Sequence, residues 1–159
     1  MIFVTIGTQE PFDRLVKAMD NIAPLLTGME VHAQVSETRH DIKYMKSYNF
    51  LNPSEYGALF SKASLIVGHA GMGTIISAMH SNKPIIILPR LASLGEHRNE
   101  HQSATAKRLD NLKYIHVAYN EIELKEMVLA FFNGNLKPLH RIGDNASDEL
   151  ITSIQEYIK

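Results

Sequence analysis

Residues 65–74 of the chain read L-I-V-G-H-A-G-M-G-T. The apolar run stops at Gly68, three glycines fall within six residues, and a helix-like pattern begins at Thr74. This order is typical of a buried strand, a tight loop and a helix N-terminus. Backbone N–H groups in such a loop, with the positive end of the helix dipole, favour a phosphate or diphosphate. Glycine leaves room for the anion or permits a positive φ. An ordinary strand-to-helix turn has the same sequence pattern.

Strand-like and helix-like segments alternate along the rest of the chain. Strands are predicted at residues 1–6, 30–35, 48–51, 64–67, 84–88 and 114–117. Helices are predicted to begin near residues 11, 53 and 74 and to cover residues 102–109, 121–132 and 148–158. The alternation predicts an α/β fold: one Rossmann-like, doubly wound parallel sheet with helices on both faces, spanning residues 1–159 as a single domain.

Ligands of such sheets bind at the carboxyl ends of the strands, near the point where the strand order reverses. In a 3-2-1-4-5-6 order, the first and fourth strands are neighbours at that point. Their exit loops are residues 7–9, G-T-Q, and residues 68–73. Two glycine-containing loops are therefore expected to meet at one crevice.

Composition excludes several classes of protein. The 159 residues include 16 Lys and Arg against 17 Asp and Glu, and the net charge of −1 argues against a nucleic-acid binder. The absence of cysteine excludes disulfides and zinc-thiolate sites. No secretory signal or membrane-spanning run is apparent, so a soluble cytoplasmic protein is expected.

A second polar cluster follows the fifth predicted strand. It contains Arg90 and the stretch G-E-H-R-N-E-H-Q at residues 95–102. Such a density of hydrogen-bonding side chains favours a binding role over a charged surface turn. Residues 97–101 also spell H-x-x-E-H, an inverted zincin signature that would make the chain a metallohydrolase. That motif needs a third ligand and a helix-rich scaffold, so coincidence is the favoured interpretation.

Two common phosphate-binding signatures are absent. The first strand is not followed by G-x-G-x-x-G, and no glycine precedes a Lys-Ser or Lys-Thr pair. The chain also has no D-x-D sequence, although enzymes that hold a diphosphate through Mg²⁺ or Mn²⁺ usually present acidic ligands. A metal-independent diphosphate site is therefore expected, in which preorganised donors stabilise the leaving-group charge.

Three motifs in order resemble the donor-binding, C-terminal half of family 28 glycosyltransferases: residues 65–79, residues 83–90 and residues 95–106. The opening V-T-I-G-T-Q-E-P-F-D-R-L-V-K-A-M-D, residues 4–20, is similar to the short stand-alone members. Those are bacterial exopolysaccharide subunits of the PssE type, related to the catalytic subunit of the two-part dolichol-linked GlcNAc transferase. The resemblance implies one Rossmann-like half of a GT-B enzyme and a UDP-sugar donor, with no cofactor and no metal.

The resemblance also implies which residues bind the donor. The loop after the fourth strand approaches the diphosphate, the first loop faces the same cleft, and the segment at residues 96–102 lines the sugar side. Longer relatives carry a ribose-binding Glu at the position of Ser77. The implied donor-binding residues are Gly7, Thr8, Gln9, His69, Ala70, Gly71, Met72, Gly73, Thr74, Ser77, Arg90, Glu96, His97, Asn99, His101 and Gln102.

A GT-B enzyme closes its cleft between two domains, and this chain supplies one. The resemblance implies a separate, membrane-attached acceptor-binding subunit, so the chain is expected at the inner face of the cell membrane through that partner. The acceptor is expected to be a lipid-linked saccharide in exopolysaccharide, capsule or glycolipid synthesis. Glu96 and His97 are the catalytic candidates of this chain, and the general base is expected on the partner, with His69 or Glu96 as local alternatives. A nucleotide-sugar-binding regulatory module without transfer activity is the alternative, to which Ser77 lends support.

Overall fold

The computed structural model describes residues 1–8, 10–143, 145 and 148–157. In these ranges, six parallel strands form one sheet in the order β3-β2-β1-β4-β5-β6. The strands are β1 (Ile2–Thr5), β2 (Val31–Gln34), β3 (Lys46–Tyr48), β4 (Leu65–Gly68), β5 (Ile85–Ile87) and β6 (His116–Val117). The α-helices are α1 (Asp13–Ile22), α2 (Pro53–Lys62), α3 (Met72–His80), α4 (His101–Asn111), α5 (Glu121–Phe132) and α6 (Asp148–Tyr157). Short 3-10 turns lie at Ala23–Leu25 and Ala92–Leu94.

The predicted α/β fold and strand order are confirmed. Successive side chains of a strand point to opposite faces of the sheet, so both faces of this sheet carry an apolar core. Ile2 and Val4 of β1 belong to a cluster with α1 and α5, whereas Phe3 packs with α2, α3 and α4. Within the described ranges, no helix combines the length and apolar character that crossing a membrane requires.

The first strand lies between β2 and β4, where the strand order reverses. Thr5 of β1 is in register with Gln34 of β2 on one side and with Gly68 of β4 on the other. All three strands run parallel, so their carboxyl ends open at the same edge of the sheet. The loops that leave β1 and β4 therefore begin side by side, as the sequence predicted.

Most element boundaries differ by one to three residues from the sequence-based predictions, and the differences at β3 and α3 have a local cause. Strand β3 covers Lys46–Tyr48 rather than residues 48–51, because residues 49–51 lead into α2, where Asn52 and Glu55 form a capping box. Helix α3 begins at Met72 instead of Thr74. Its first turn faces away from the core, so the apolar pattern starts only at the fully buried Ile75.

The connection between β2 and β3 is fixed by a buried carboxylate. Asp20 of α1 is 2% exposed and accepts hydrogen bonds from the backbone N of Tyr44 at 2.8 Å and of Lys43 at 3.0 Å. His40 Nε2 lies 3.0 Å from the same carboxylate. Burial raises the pKa of Asp20, but the hydrogen bonds from Tyr44, Lys43 and His40 outweigh it and hold that pKa below its usual value.

Substituting Asp20→Asn is expected to lower the free energy of unfolding by about 1–3 kcal/mol at neutral pH. Because the folded-state pKa is depressed, the carboxylate's contribution is complete above the unfolded-state value and is lost as pH falls through the folded-state value. Urea unfolding at several pH values should therefore show a shallower loss of stability in acid for the variant. Asp41→Asn, at an exposed neighbouring position, is the control and should unfold like the parent. Equal destabilisation by both substitutions would contradict this account of the loop.

Candidate functional site

Two cavities flank the loop that leaves β1. The first, here called the α2 cavity, measures about 500 Å³ and lies between the ends of β1 and β2, the start of α2 and the start of α3. The second, here called the loop cavity, measures about 230 Å³ and lies between residues 6–8 and 10 on one side and the segment that follows β5 on the other. Gly7 and Thr8 line both cavities. The crevice at the strand-order reversal is thus divided into two adjoining compartments.

The N-terminus of α3 opens into the α2 cavity. Gly71 is the N-cap residue and provides no side-chain hydrogen bond to the first turn. Gly73 and Thr74, in that first turn, line the cavity. A Cβ added at Gly73 would meet nothing within 4 Å. Uncapped N–H groups and open space together provide a position for an anion.

The imidazole of His69 lies between the loops after β1 and β4. A Cβ added at Gly7 would lie 3.0 Å from Cε1 of His69, and one added at Gly71 would lie 2.6 Å from the same atom. Both glycines therefore leave space for the imidazole. At Gly73, by contrast, a Cβ would meet no atom within 4 Å. Gly7 also has a φ of +79°, which favours glycine in its own right.

His69 is uncharged near neutral pH. Burial first, then the positive charge of Arg90, lower the pKa of His69 to about 4, against a smaller opposing contribution from the backbone of Thr5. Its Nδ1 is buried without a hydrogen-bond partner among the described residues. A neutral imidazole offers one N–H donor and one acceptor, so His69 can serve the crevice by hydrogen bonding without carrying a charge.

Gly71→Ala is expected to displace the His69 ring and to lower the free energy of unfolding by about 1–3 kcal/mol. Gly73→Ala, two residues along the same helix, is the matched control because its Cβ has free space. That control should raise stability by about 0.5–1 kcal/mol through helix propensity. Thermal unfolding of both variants checks the difference. If Gly71→Ala proved as stable as Gly73→Ala, His69 would not occupy the position described.

Arg90 follows β5 and is 2% exposed. Its guanidinium donates to the carbonyl oxygens of Glu10 at 2.7 Å, Pro11 at 2.6 Å and Ile6 at 3.0 Å. The group lies 4.6 Å from the centre of the Phe12 ring. Burial lowers the pKa of Arg90, against the nearby carboxylates of Glu10 and Glu96. Arg90 lines the loop cavity, and these contacts make it the support of the loop that leaves β1.

Glu96 is held by an arginine of α1. Arg14 Nε lies 2.7 Å from Oε1 of Glu96, and Arg14 Nη2 lies 2.8 Å from Oε2. The backbone N of Leu91 also donates to Oε2, at 3.0 Å. Both carboxylate oxygens are therefore engaged with the protein. Glu96 borders a cavity of about 350 Å³ that it shares with Glu10, Gly95, His97 and Arg98.

The remaining residues of this segment differ in their positions. His97 and Gln102 line the loop cavity, and Gln102 accepts a hydrogen bond from the backbone N of Arg90 at 3.2 Å. Asn99 Oδ1 accepts from the backbone N of His101 at 3.1 Å, and His101 is exposed at the start of α4. The structure thus brings His97 and Gln102 to the crevice, whereas Asn99 is engaged at the start of the helix.

The two histidines of the inverted zincin motif do not have the helical arrangement that such a zinc site requires. Helix α4 begins at His101, so His97 and His101 do not lie on successive turns of one helix. His97 Nδ1 lies 3.1 Å from the carbonyl oxygen of Asn99 instead. In the part of the chain that the structure describes, no group of three or more His, Cys, Asp or Glu side chains is placed to hold a metal ion.

The other predicted site residues are distributed around the α3 N-terminus. Ser77 lines the α2 cavity, Ala70 is buried, and Met72 is 47% exposed. Gln9 lies outside the described residues. Sequence analysis missed Glu10 and Gln34, together with the apolar lining of the α2 cavity, which is formed by Phe50, Leu51 and Tyr56. Gln34 is the last residue of β2, the strand next to β1. Because ligands bind at the carboxyl ends of such strands, its position could have identified it as a site residue.

Known structures share this fold. The solution structure of ALG13 superposes with a TM-score of 0.60 at 18% identity, covering 96% of this chain and 93% of that one. The crystal structure of the kitacinnamycin glycotransferase gives 0.60 at 14% identity, covering 82% of this chain and 34% of that one. UDP-glucose: anthocyanidin 3-O-glucosyltransferase in complex with UDP gives 0.55 at 15% identity, covering 79% and 29%. This chain thus matches about a third of the two larger enzymes.

Sequence comparison identifies the family. No curated protein matches the chain in sequence. The model of the glycosyltransferase family 28 C-terminal domain matches residues 1–156. That match covers both loops of the crevice and the segment after β5, so the site described above lies wholly inside it. The chain belongs to the glycosyltransferase family 28 C-terminal domain family.

Proposed function

We propose that this chain binds a UDP-sugar and, with a separate acceptor-binding subunit, transfers its hexose or hexose derivative to a lipid-linked saccharide. One observation carries the proposal: the uncapped N-terminus of α3 opens, at Gly73, into the α2 cavity, which shares Gly7 and Thr8 with the more polar loop cavity. A nucleoside diphosphate sugar has the same three-part arrangement, with a diphosphate between a base and a hexose. The UDP complex of a similar glucosyltransferase structure supports the choice of nucleotide.

The diphosphate is assigned to the first turn of α3. The N–H groups at Gly73 and Thr74 and the helix dipole would offset its charge. His69, as a neutral donor, would hydrogen bond to the same group. Gly7 and Thr8, which line both compartments, would lie next to the diphosphate.

The two compartments would separate the nucleoside from the sugar. Phe50, Leu51 and Tyr56 make the α2 cavity the more apolar one, suited to a pyrimidine ring. Ser77 is in that cavity and would face the ribose. The loop cavity presents His97 and Gln102, whose hydrogen-bonding groups suit hexose hydroxyls.

Transfer requires an acceptor hydroxyl to attack the anomeric carbon while the bond from that carbon to UDP breaks. Amide groups and the dipole of α3 would stabilise the negative charge that develops on UDP, without a metal ion. The hydroxyl proton must pass to a general base. We place that base on the acceptor-binding subunit, a membrane-attached protein. In this chain we favour His97, which lines the loop cavity, over the two local alternatives expected from the sequence: the pKa of His69 is lowered to about 4, and both carboxylate oxygens of Glu96 are engaged by the protein.

Titration of the purified chain with UDP and a panel of UDP-hexoses tests the proposal. The panel contains the glucose, galactose, N-acetylglucosamine and glucuronate derivatives, with ADP as the control nucleotide, and each titration is run with EDTA and repeated with Mg²⁺. We expect binding of UDP and of at least one UDP-hexose, with weaker binding of ADP. A strict requirement for a divalent cation, or equal binding of ADP, would contradict the proposal.

A regulatory module that binds nucleotide-sugars without transferring them is the second candidate. Ser77 favours it, because a hydroxyl stands at the position of the ribose-binding carboxylate of longer relatives. Sugar transfer measured with and without the acceptor-binding subunit separates the two functions. Transfer that appears only with both subunits supports the first candidate. Binding without transfer under both conditions supports the second.

A further inference from the structure

We propose that Glu96 is a positioning residue whose ion pair with Arg14 holds residues 91–100 in place, so that His97 faces the loop cavity, where the proposed function places the hexose. The inference rests on the proposed function for the identity of that compartment. It assigns to Arg14, a residue of α1 outside the cavities, a part in donor recognition. It also gives Glu96 a role that does not require contact with the sugar.

The hydrogen bonds of Glu96 leave little capacity for a ligand. Arg14 engages one oxygen at 2.7 Å and the other at 2.8 Å, and the backbone N of Leu91 adds a third bond at 3.0 Å. The side chains of Arg14 and Glu96 are 12% and 13% exposed. A paired arrangement of this kind, largely shielded from water, is geometrically specific and costly to break.

Arg14 contacts a residue on each side of the 3-10 turn Ala92–Leu94. Arg14 Nη2 also donates to the carbonyl oxygen of Pro89 at 2.8 Å, two residues after β5 ends. The bond from Leu91 N to Glu96 closes the intervening turn, which contains the 3-10 segment Ala92–Leu94. One arginine of α1 therefore anchors the chain before the turn, at Pro89, and after it, at Glu96.

His97 depends on this anchoring because it follows Glu96 directly. Its ring contacts the segment itself, with Nδ1 3.1 Å from the carbonyl oxygen of Asn99. Nothing else in the described residues links the His97 side chain to the body of the fold by a hydrogen bond. The position of the imidazole in the crevice is thus set by the position of residue 96.

Arg14→Met, Glu96→Gln and the double variant test the inference as a double-mutant cycle. The measured quantity is the affinity for the preferred UDP-hexose divided by the affinity for UDP. We expect each single substitution to lower this ratio about ten-fold, the size of one charge-assisted hydrogen bond, and the double variant to be no worse than either. UDP affinity should stay near that of the parent. Glu121→Gln is the control, since Glu121 is 3.8 Å from Arg14 but half exposed.

Additive losses, or a loss confined to Glu96→Gln, would overturn the inference and favour direct contact of Glu96 with the sugar. Arg14→Lys, which keeps the charge but loses the planar fork, should give an intermediate ratio if Arg14→Met fails to fold. Amide hydrogen exchange at Leu91 gives a second reading that needs no ligand: Arg14→Met should remove its protection. If the parent binds no UDP-hexose, the proposed function fails, and protection at Leu91 still decides whether Arg14 positions Glu96.

Discussion

Replacing Arg90 with methionine is expected to lower the free energy of unfolding by about 3–5 kcal/mol, because one buried and two partly buried carbonyl groups lose their donor at once. Ile6, Glu10 and Pro11 would be left without the guanidinium that now satisfies them. Methionine retains contact with the Phe12 ring, so the loss measures the hydrogen bonds more than the packing. Urea unfolding at neutral pH gives the difference directly.

Two further variants identify the cause. Arg90→Lys keeps the charge but loses the planar fork, so we expect an intermediate loss of stability. Arg108→Met removes an exposed arginine of α4, outside the crevice, and should change the free energy of unfolding by less than about 0.5 kcal/mol. If Arg90→Met were as stable as the parent but had lost affinity for UDP-sugars, Arg90 would be a direct substrate contact.

Local patterns were sufficient to predict the sheet. The apolar run and glycines at residues 65–74 identified β4 and its loop, and alternation along the chain predicted the remaining order, which the structure confirms. Helix α5 was predicted with the bounds that the structure has, Glu121–Phe132. Such features depend on residues close in sequence, so periodicity reports them well.

Long-range partners could not be predicted in this way. Arg14 and Glu96 are 82 residues apart, and Arg90 lies 84 residues from the carbonyl of Ile6 that it satisfies. The sequence contains no information on which buried groups of the fold need a hydrogen-bond partner. An arginine or glutamate in a polar stretch is therefore assigned to a ligand, even where it pairs with a distant part of the chain. Gly71 illustrates the same limit: its missing side chain leaves room for the His69 ring, a contact that only the folded loop reveals.

Gly73→Asp is expected to weaken UDP binding on the order of 100-fold or more, because it puts a carboxylate beside the diphosphate. At an effective dielectric constant of about 20, like charges about 4 Å apart repel by about 4 kcal/mol. The free energy of unfolding of Gly73→Asp should instead rise slightly. Aspartate in the first turn of a helix interacts favourably with the dipole, by about 0.3–1 kcal/mol, and the added Cβ has open space.

Gly57→Asp in α2 is the matched control, since Gly57 also has no atom within 4 Å of an added Cβ and is not among the lining residues of the α2 cavity. It introduces the same charge into a helix without placing it at the N-terminus of α3. Titration with UDP should therefore separate the two variants, while thermal unfolding should show both folded. Once thermal unfolding shows that Gly73→Asp is folded, loss of UDP affinity cannot be attributed to unfolding. Unchanged affinity would instead mean that the diphosphate does not lie at the start of α3.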